Sequence, residues 1–265
     1  MKIVRWKDMH GKPMCGKWVD DAHALPIRGE LFGDHTLSET PVPIGRRLAP
    51  VDPPNIIAIG RNYADHAKEM KAESPPEEPL IFLKATSSVV GPEDSIILPR
   101  SAPDEVDFEA ELAVVIGRIA KNVTEREALS FVFGYTCAND VSARDCQKRR
   151  DKQWARGKSF DTFCPLGPHI VTADELSPNN LAVRSYLNGK LMQDGNTGDM
   201  IFSVAQLVSY VSHQFTLLPG TVILTGTPAG VGSARNPPVF LGSGDEFSVE
   251  IEGIGRLGNR VVADR

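Results

Sequence analysis

A short list of polar side chains carries the chemistry that this 265-residue chain can offer. In "EVDFEAELAVVIG" (105–117), Asp107, Glu109 and Glu111 alternate with Val106, Phe108, Ala110 and Leu112. Successive side chains of a strand point to opposite faces, so the acids line one face. The run then turns apolar on both faces from Ala113 to Ile116, the pattern of a buried strand. The ordinary reading of 105–111 is the solvated half of an edge strand. The other reading is a cation site. Two carboxylates about 4 Å apart repel by roughly 4 kcal/mol at an effective dielectric near 20, so acids beside a core need a positive partner. No Lys or Arg lies among them. Residues i and i+2 sit about 6.6 Å apart along a strand, a gap that two Glu side chains can span to reach one ion.

Other residues extend the pattern. Asp140, in "CANDVSARDCQ", ends a strand before a helix. It reads either as a helix N-cap or first-turn acid, or as a third cation-binding carboxylate. A helix starting there projects Arg144 and Gln147 from the same face, as a surface ion pair or as an anion receptor beside an amide. In "RNYADHAKEM", His66 and Glu69 share one side of a turn. Such a pair is either solvated and idle or an imidazole oriented by a carboxylate as a general base. Lys158 follows Gly157 in a loop between apolar anchors, where most lysines are simply exposed. "LTGTPAGVG" (224–232) lacks the GK[ST] ending of a P-loop. Its backbone N–H groups, that of Gly226 included, and the Thr227 hydroxyl could hold a carboxylate or enolate oxygen.

The elements that must position these groups are mostly strands. Strands are expected at 55–60, 80–84, 95–99, 109–117, 135–140, 169–172, 181–193 and 221–226, with a hairpin turn at Asn188-Gly189. Helices are expected at 63–70, 124–134 (capped by Thr124, with Glu127 completing a capping box), 142–154 and 203–215. This is an α+β, predominantly β architecture. Residues 1–50 read as a small β-rich N-terminal domain, joined by a proline-rich connection to a main domain at 51–265. The net charge of −5, with no basic patch, argues against nucleic acid and anionic membranes as partners. No apolar run approaches a membrane span, and the opening residues, with no apolar segment and with Asp8 and little Ser, are not expected to act as a signal or transit segment. Four scattered cysteines without a zinc spacing fit a reduced, cytoplasmic protein.

Taken together and in this order, "GRNYADHAKEM", "PLIFLKATSSVVGP", "DFEAELAVVIG", "NDVSARDCQ", "GKSFDTFCPLGP" and "LTGTPAGVG" resemble the fumarylacetoacetate hydrolase superfamily. The match runs from about residue 50 to the C-terminus. It is closest to a branch that includes oxaloacetate enol–keto tautomerases. The resemblance implies mixed β-sheets rolled around a metal site, with Glu109, Glu111 and Asp140 binding Mg²⁺ or Mn²⁺. It implies that Arg144, Gln147, Lys158 and Thr227 hold the substrate's carboxylate and enolate oxygens. His66 and Glu69 match the base and orienting acid of members that activate water, and 63–79 matches a lid. The founding hydrolase has a further Asp ligand upstream of its catalytic His. "IGRNYADH" has no acid before Asp65, which implies a three-carboxylate site completed by water and turns the reading away from fumarylacetoacetate itself. Asp107 and Lys84 receive no role.

The expected function is therefore a divalent-metal enzyme acting on small 2-oxo dicarboxylic acids through a metal-stabilised enolate. Oxaloacetate keto–enol tautomerisation comes first. Acylpyruvate C–C hydrolysis and oxaloacetate decarboxylation share the same intermediate. Two readings of other classes stand beside it. A retaining glycosidase also places two acids close together, but three Trp and four Tyr leave little surface for stacking sugars. A metal-stabilised binding protein would use the acids for structure alone. A homodimer is expected from the resemblance.

Overall fold

A computed structural model describes residues 1–70, 74 and 76–264. Its centre is the strand Ala110–Ile116, whose seven residues are all buried. One face, through Leu112, Val114 and Ile116, packs into the main core; the other, through Ala113 and Val115, packs into a second cluster with Ile56, Ala58, Val222 and Leu224. Burial on both sides explains why its sequence carries no polar alternation. It pairs antiparallel with Val132–Asn139 on one flank and with Val222–Leu224 on the other. Val222–Leu224 then pairs parallel with Ile56–Gly60, which pairs antiparallel with Leu80–Lys84 at the sheet edge.

Beyond Val132–Asn139 the large sheet continues through Cys164–Thr172 to Lys2–Lys7, Pro13–Trp18 and His23–Gly29. Lys2 lies opposite Val171 and Ile3 opposite Ile170. The first fifty residues are thus β-rich with a small cluster of their own around Val4, Trp6 and Ala24, and they extend the large sheet. A second sheet of five strands, Ile96–Leu98, Gly255–Ala263, Glu246–Ile251, Ala182–Leu187 and Lys190–Asn196, packs across the main core. Phe108 and Phe247 stack with ring centroids 4.7 Å apart where the sheets meet. Asn188 and Gly189 have φ values of +51° and +78°, as the expected two-residue hairpin requires.

Two expected helices come out differently. Residues 142–154 do not form one helix. Ser142 and Ala143 are extended and pair with Asp107 and Val106, giving those backbone groups partners outside the large sheet. Only then does the chain make a wide helical turn over Cys146–Arg150 and a short helix over Ala155–Lys158. The helix after Thr124 stops at Ala128, since Val132–Asn139 is claimed by the sheet. There the Thr124 hydroxyl bonds the Glu127 carboxylate at 2.6 Å instead of capping the backbone. A true capping box forms at Ser203 and Gln206, opening the helix Val204–Gln214. Among the described residues no helix is long and apolar enough to cross a membrane.

Candidate active site

The strand register brings the acids together. Ala110 sits opposite Asn139, so Glu109 and Asp140 flank the same end of an antiparallel pair. Asp140 N–H donates to the Glu109 carbonyl at 2.9 Å, and the Asn139 side chain accepts from Glu109 N–H at 3.0 Å. Oxygens of Glu109, Glu111 and Asp140 then lie within 4.8 Å of one another. All three residues are buried, Asp140 completely, so the reading of 105–111 as a solvated edge is overturned.

Buried acids need partners, and other elements supply them. Lys158 Nζ donates to Glu109 Oε2 at 2.7 Å and to Asp140 Oδ2 at 2.6 Å. Its helix reaches this depth because Gly157 passes close by; a Cβ there would stand 3.0 Å from Ala143 O and from Gln147 N. Lys84, from the edge strand, bonds Asp140 Oδ1 and the Lys158 carbonyl. Arg144 Nε donates to Asp107 Oδ2 at 2.8 Å, its Nη1 donates to Gln147 Oε1 at 2.9 Å, and its Nη2 lies 2.7 Å from Glu109 Oε1. Asp140 thus pairs with lysines rather than with Arg144, four residues on.

Glu111 is the exception. It accepts one hydrogen bond, from Gly226 N–H at 2.8 Å, and no basic side chain pairs with it among the described residues. Gly226 can make this approach because its φ is +96° and a Cβ would come within 2.8 Å of Asn62 Cβ. Burial pushes the Glu111 carboxyl well above the ordinary range, and the charges of Asp140 and Glu109 push it further. Burial acts the same way on Glu109, but Lys158 and Arg144 outweigh it and hold that carboxyl low. Burial disfavours the Lys158 ammonium, yet Asp140 and Glu109 keep it more firmly protonated than usual.

His66 stands on the short helix Ala64–Glu69. Asn62 pins the entry to that helix, donating to the Phe202 and Thr225 carbonyls at 3.0 and 2.8 Å. His66 Nδ1 and Glu69 Oε1 are 2.8 Å apart, and Glu69 Oε2 accepts from Gly230 N–H at 2.9 Å. In the neutral ring, a carboxylate at Nδ1 favours the proton there and leaves the Nε2 lone pair as the acceptor. The lid expected at 63–79 includes 71–73 and 75, which lie outside the described residues.

These groups surround a cavity of about 270 Å³, whose lining includes His66, Glu109, Glu111, Arg144, Gln147, Trp154, Lys158 and Thr227. Every residue singled out from the sequence is at this site or bonded to a residue of it. The sequence left out two that matter. Asp107, fully buried, accepts from Phe108, Gly232 and Ser233 N–H groups as well as from Arg144, tying the glycine-rich loop to the guanidinium. Lys84 anchors Asp140. Strand alternation had placed Asp107 with the other acids, and Lys84 is the one cation of an otherwise apolar strand; those were the available signals. With them counted and all ionised, four buried carboxylates face three buried cations among the described residues, leaving one negative charge, that of Glu111. A hard divalent ion fits: the donors are all oxygens, and one of the carboxylates lacks a counter-charge among the described residues. Lys158 holds the same two carboxylates, so ion and ammonium would share Glu109 and Asp140.

Comparison with known proteins gives the chain its family. Residues 55–262 match the family model described as fumarylacetoacetate (FAA) hydrolase C-terminal. A rat protein described as "Oxaloacetate tautomerase Fahd2a, mitochondrial" is 51% identical over 217 residues, covering 81% of this chain and 69% of that protein. A fumarylacetoacetate hydrolase from Exiguobacterium antarcticum has 40% identity and a TM-score of 0.89, with 100% of both chains covered. A Mycobacterium smegmatis structure described as 5-carboxymethyl-2-hydroxymuconate delta-isomerase has 41% identity and a TM-score of 0.88, again over 100% of both chains. The chain is an enzyme of the fumarylacetoacetate hydrolase family.

Proposed function

We propose that the protein is a divalent-metal-dependent tautomerase of small 2-oxo dicarboxylic acids, with oxaloacetate as the first-choice substrate. The observation that carries this is Glu111, a buried carboxylate without a counter-cation among the described residues, beside two others and lining the same cavity as Arg144 and Lys158. Glu109, Glu111 and Asp140 would hold Mg²⁺ or Mn²⁺, which when bound acts as a Lewis acid that favours an enolate oxygen. The charges suit a dianion: one net negative charge at the site becomes one positive with the cation, then one negative with the substrate.

The chain's own residues do the rest. Arg144 lines the cavity, held by Glu109 at Nη2 and by Gln147 at Nη1, and its guanidinium would receive a carboxylate with Gln147 beside it. The Lys158 ammonium offsets charge developing on the oxygen at C2. His66 Nε2, with its ring held by Glu69, would carry the proton between that oxygen and C3. The names of similar proteins support oxaloacetate: curated relatives at about half identity are described as oxaloacetate tautomerases.

A specific observation favours a second reading. The pair of buried His66 and half-buried Glu69 at 2.8 Å is also what a water-activating base requires, which supports acylpyruvate C–C hydrolysis. Decay of enol-oxaloacetate and cleavage of acetylpyruvate, measured side by side with and without EDTA, separate the two. Metal-dependent acceleration of enol decay is expected; faster acetylpyruvate turnover would reverse the order, and activity indifferent to EDTA would remove the metal. A homodimer and a cytoplasmic location belong to the same proposal. Sedimentation and fractionation test them, since the similar animal proteins are described as mitochondrial.

A further inference from the structure

Gln193 lies outside the cavity lining and is fully buried on the strand Lys190–Asn196. Its side-chain amide makes four hydrogen bonds. Oε1 accepts from Ala110 N–H at 3.0 Å and from Ser185 Oγ at 2.9 Å. Nε2 donates to Pro228 O at 2.9 Å and to Thr227 Oγ1 at 2.7 Å. Two of these partners are backbone groups of fixed polarity. An N–H can only donate and a carbonyl can only accept, so the amide has one orientation. Nε2 is therefore a donor toward Thr227, and the Thr227 oxygen must accept.

A hydroxyl has one proton and two lone pairs. The Thr227 proton goes to Ala110 O, 2.9 Å away. One lone pair faces Gln193. What remains on this oxygen is a single lone pair, and Thr227 is one of the residues lining the cavity. The contact expected to donate to a substrate carboxylate can instead only accept. Ala110, which closes this ring of bonds through both its N–H and its carbonyl, sits between Glu109 and Glu111 and fixes the strand at that point.

We propose that Gln193 is a positioning residue that makes Thr227 an acceptor-only contact, so that the cavity selects ligands presenting a hydroxyl there, the enol form of a 2-oxo dicarboxylate, over oxygens that only accept. This rests on the function proposed above for its ligand class, but its test needs no turnover. A carboxylate oxygen at this position would meet a lone pair; an enol O–H makes a hydrogen bond.

The test is calorimetric binding of two probes, 2-hydroxysuccinate and 2-methoxysuccinate, to the full chain in Mg²⁺ buffer. They share both carboxylates, and only the first can donate from C2. One neutral hydrogen bond is worth about 1 kcal/mol, so the wild type is expected to prefer the hydroxy probe roughly five-fold. Thr227→Val should bring the two affinities within about two-fold, and Thr227→Ser should retain the preference. Gln193→Met should also level the ratio, because Thr227 is then free to turn its proton toward the cavity. A merely structural Gln193 would lower the Tm and leave the ratio intact. Should Gln193→Met fail to fold, the Thr227 pair carries the test. Equal binding by the wild type, failure of 2-hydroxysuccinate to bind, or a preference surviving in Thr227→Val would each overturn the assignment. A preference of the expected kind in a protein without tautomerase activity would remove the proposed reaction and leave this inference standing.

Discussion

Asp107→Asn tests the site's architecture most directly. Asp107 is fully buried and its two oxygens accept four hydrogen bonds, from Phe108, Gly232 and Ser233 N–H and from Arg144 Nε. Asparagine keeps one acceptor and puts an NH₂ where the other was. If Oδ2 is replaced, that group meets Ser233 N–H and Arg144 Nε–H, 2.9 and 2.8 Å from the lost oxygen. Each buried donor left without an acceptor costs about 1–3 kcal/mol. Breaking a buried ion pair from one side costs about 3–5 kcal/mol. The two figures describe overlapping losses, so the expected destabilisation is about 3–5 kcal/mol, a large share of an ordinary stability of about 5–15 kcal/mol. Urea unfolding reads this as a lower midpoint at unchanged slope. In the folded fraction, Arg144 loses the bond that aims it, and the KM for a dianionic substrate should rise more than kcat falls. Adding Arg144→Met removes the unpaired cation, so the double variant should be less destabilised than the sum of the single ones. An Asp107→Asn protein within 1 kcal/mol of wild type, with unchanged KM, would refute the reasoning.

Two further outcomes follow from the titrating groups. Glu111 is pushed above the ordinary carboxylate range, first by burial and then by Asp140 and Glu109, so without a cation its ionisation opposes folding increasingly as pH rises above the unfolded value near 4.5. Glu111→Gln should therefore be at least as stable as wild type in EDTA at neutral pH while losing the rise in Tm expected of the wild type on adding Mg²⁺; differential scanning fluorimetry reads both. His169, buried and stacked 5.9 Å from Trp18, has its pKa lowered from 6.5 to about 4, chiefly by burial and then by Lys2 and Arg47. The unfolded chain takes up that proton first, so stability is full above pH 6.5 and declines as pH falls toward 4, by an amount on the order of 3 kcal/mol. Unfolding of His169→Gln across this window should show a pH slope shallower by up to one proton; identical slopes would count against the assignment.

Much of the site was legible because its chemistry is local in sequence. Glu109 and Glu111 alternate on one strand, His66 and Glu69 share one turn, and Arg144 and Gln147 share another, so short-range spacing puts each pair on one side whatever the rest does. The α+β class was legible too, from runs such as 110–116 and the Asn188-Gly189 turn, because period and turn chemistry are properties of a few adjacent residues. The sequence also showed that the acids had no cation of their own nearby. Which cations answer them is another matter. Lys84 and Lys158 are 74 residues apart, yet the Lys84 ammonium reaches the Lys158 carbonyl, and both ammoniums reach Asp140. The same non-local pairing turned 142–143 from helix into strand against 106–107, overriding a good helical pattern. It also set the polarity of Thr227: the residue type permits donating or accepting, and only Gln193, brought in from the other sheet and held by Ala110 and Pro228, removes the choice. Spacing along the chain decides which side chains share a face. The direction of a hydrogen bond and the sign of a local charge depend on neighbours supplied by folding, and those only the tertiary structure decides.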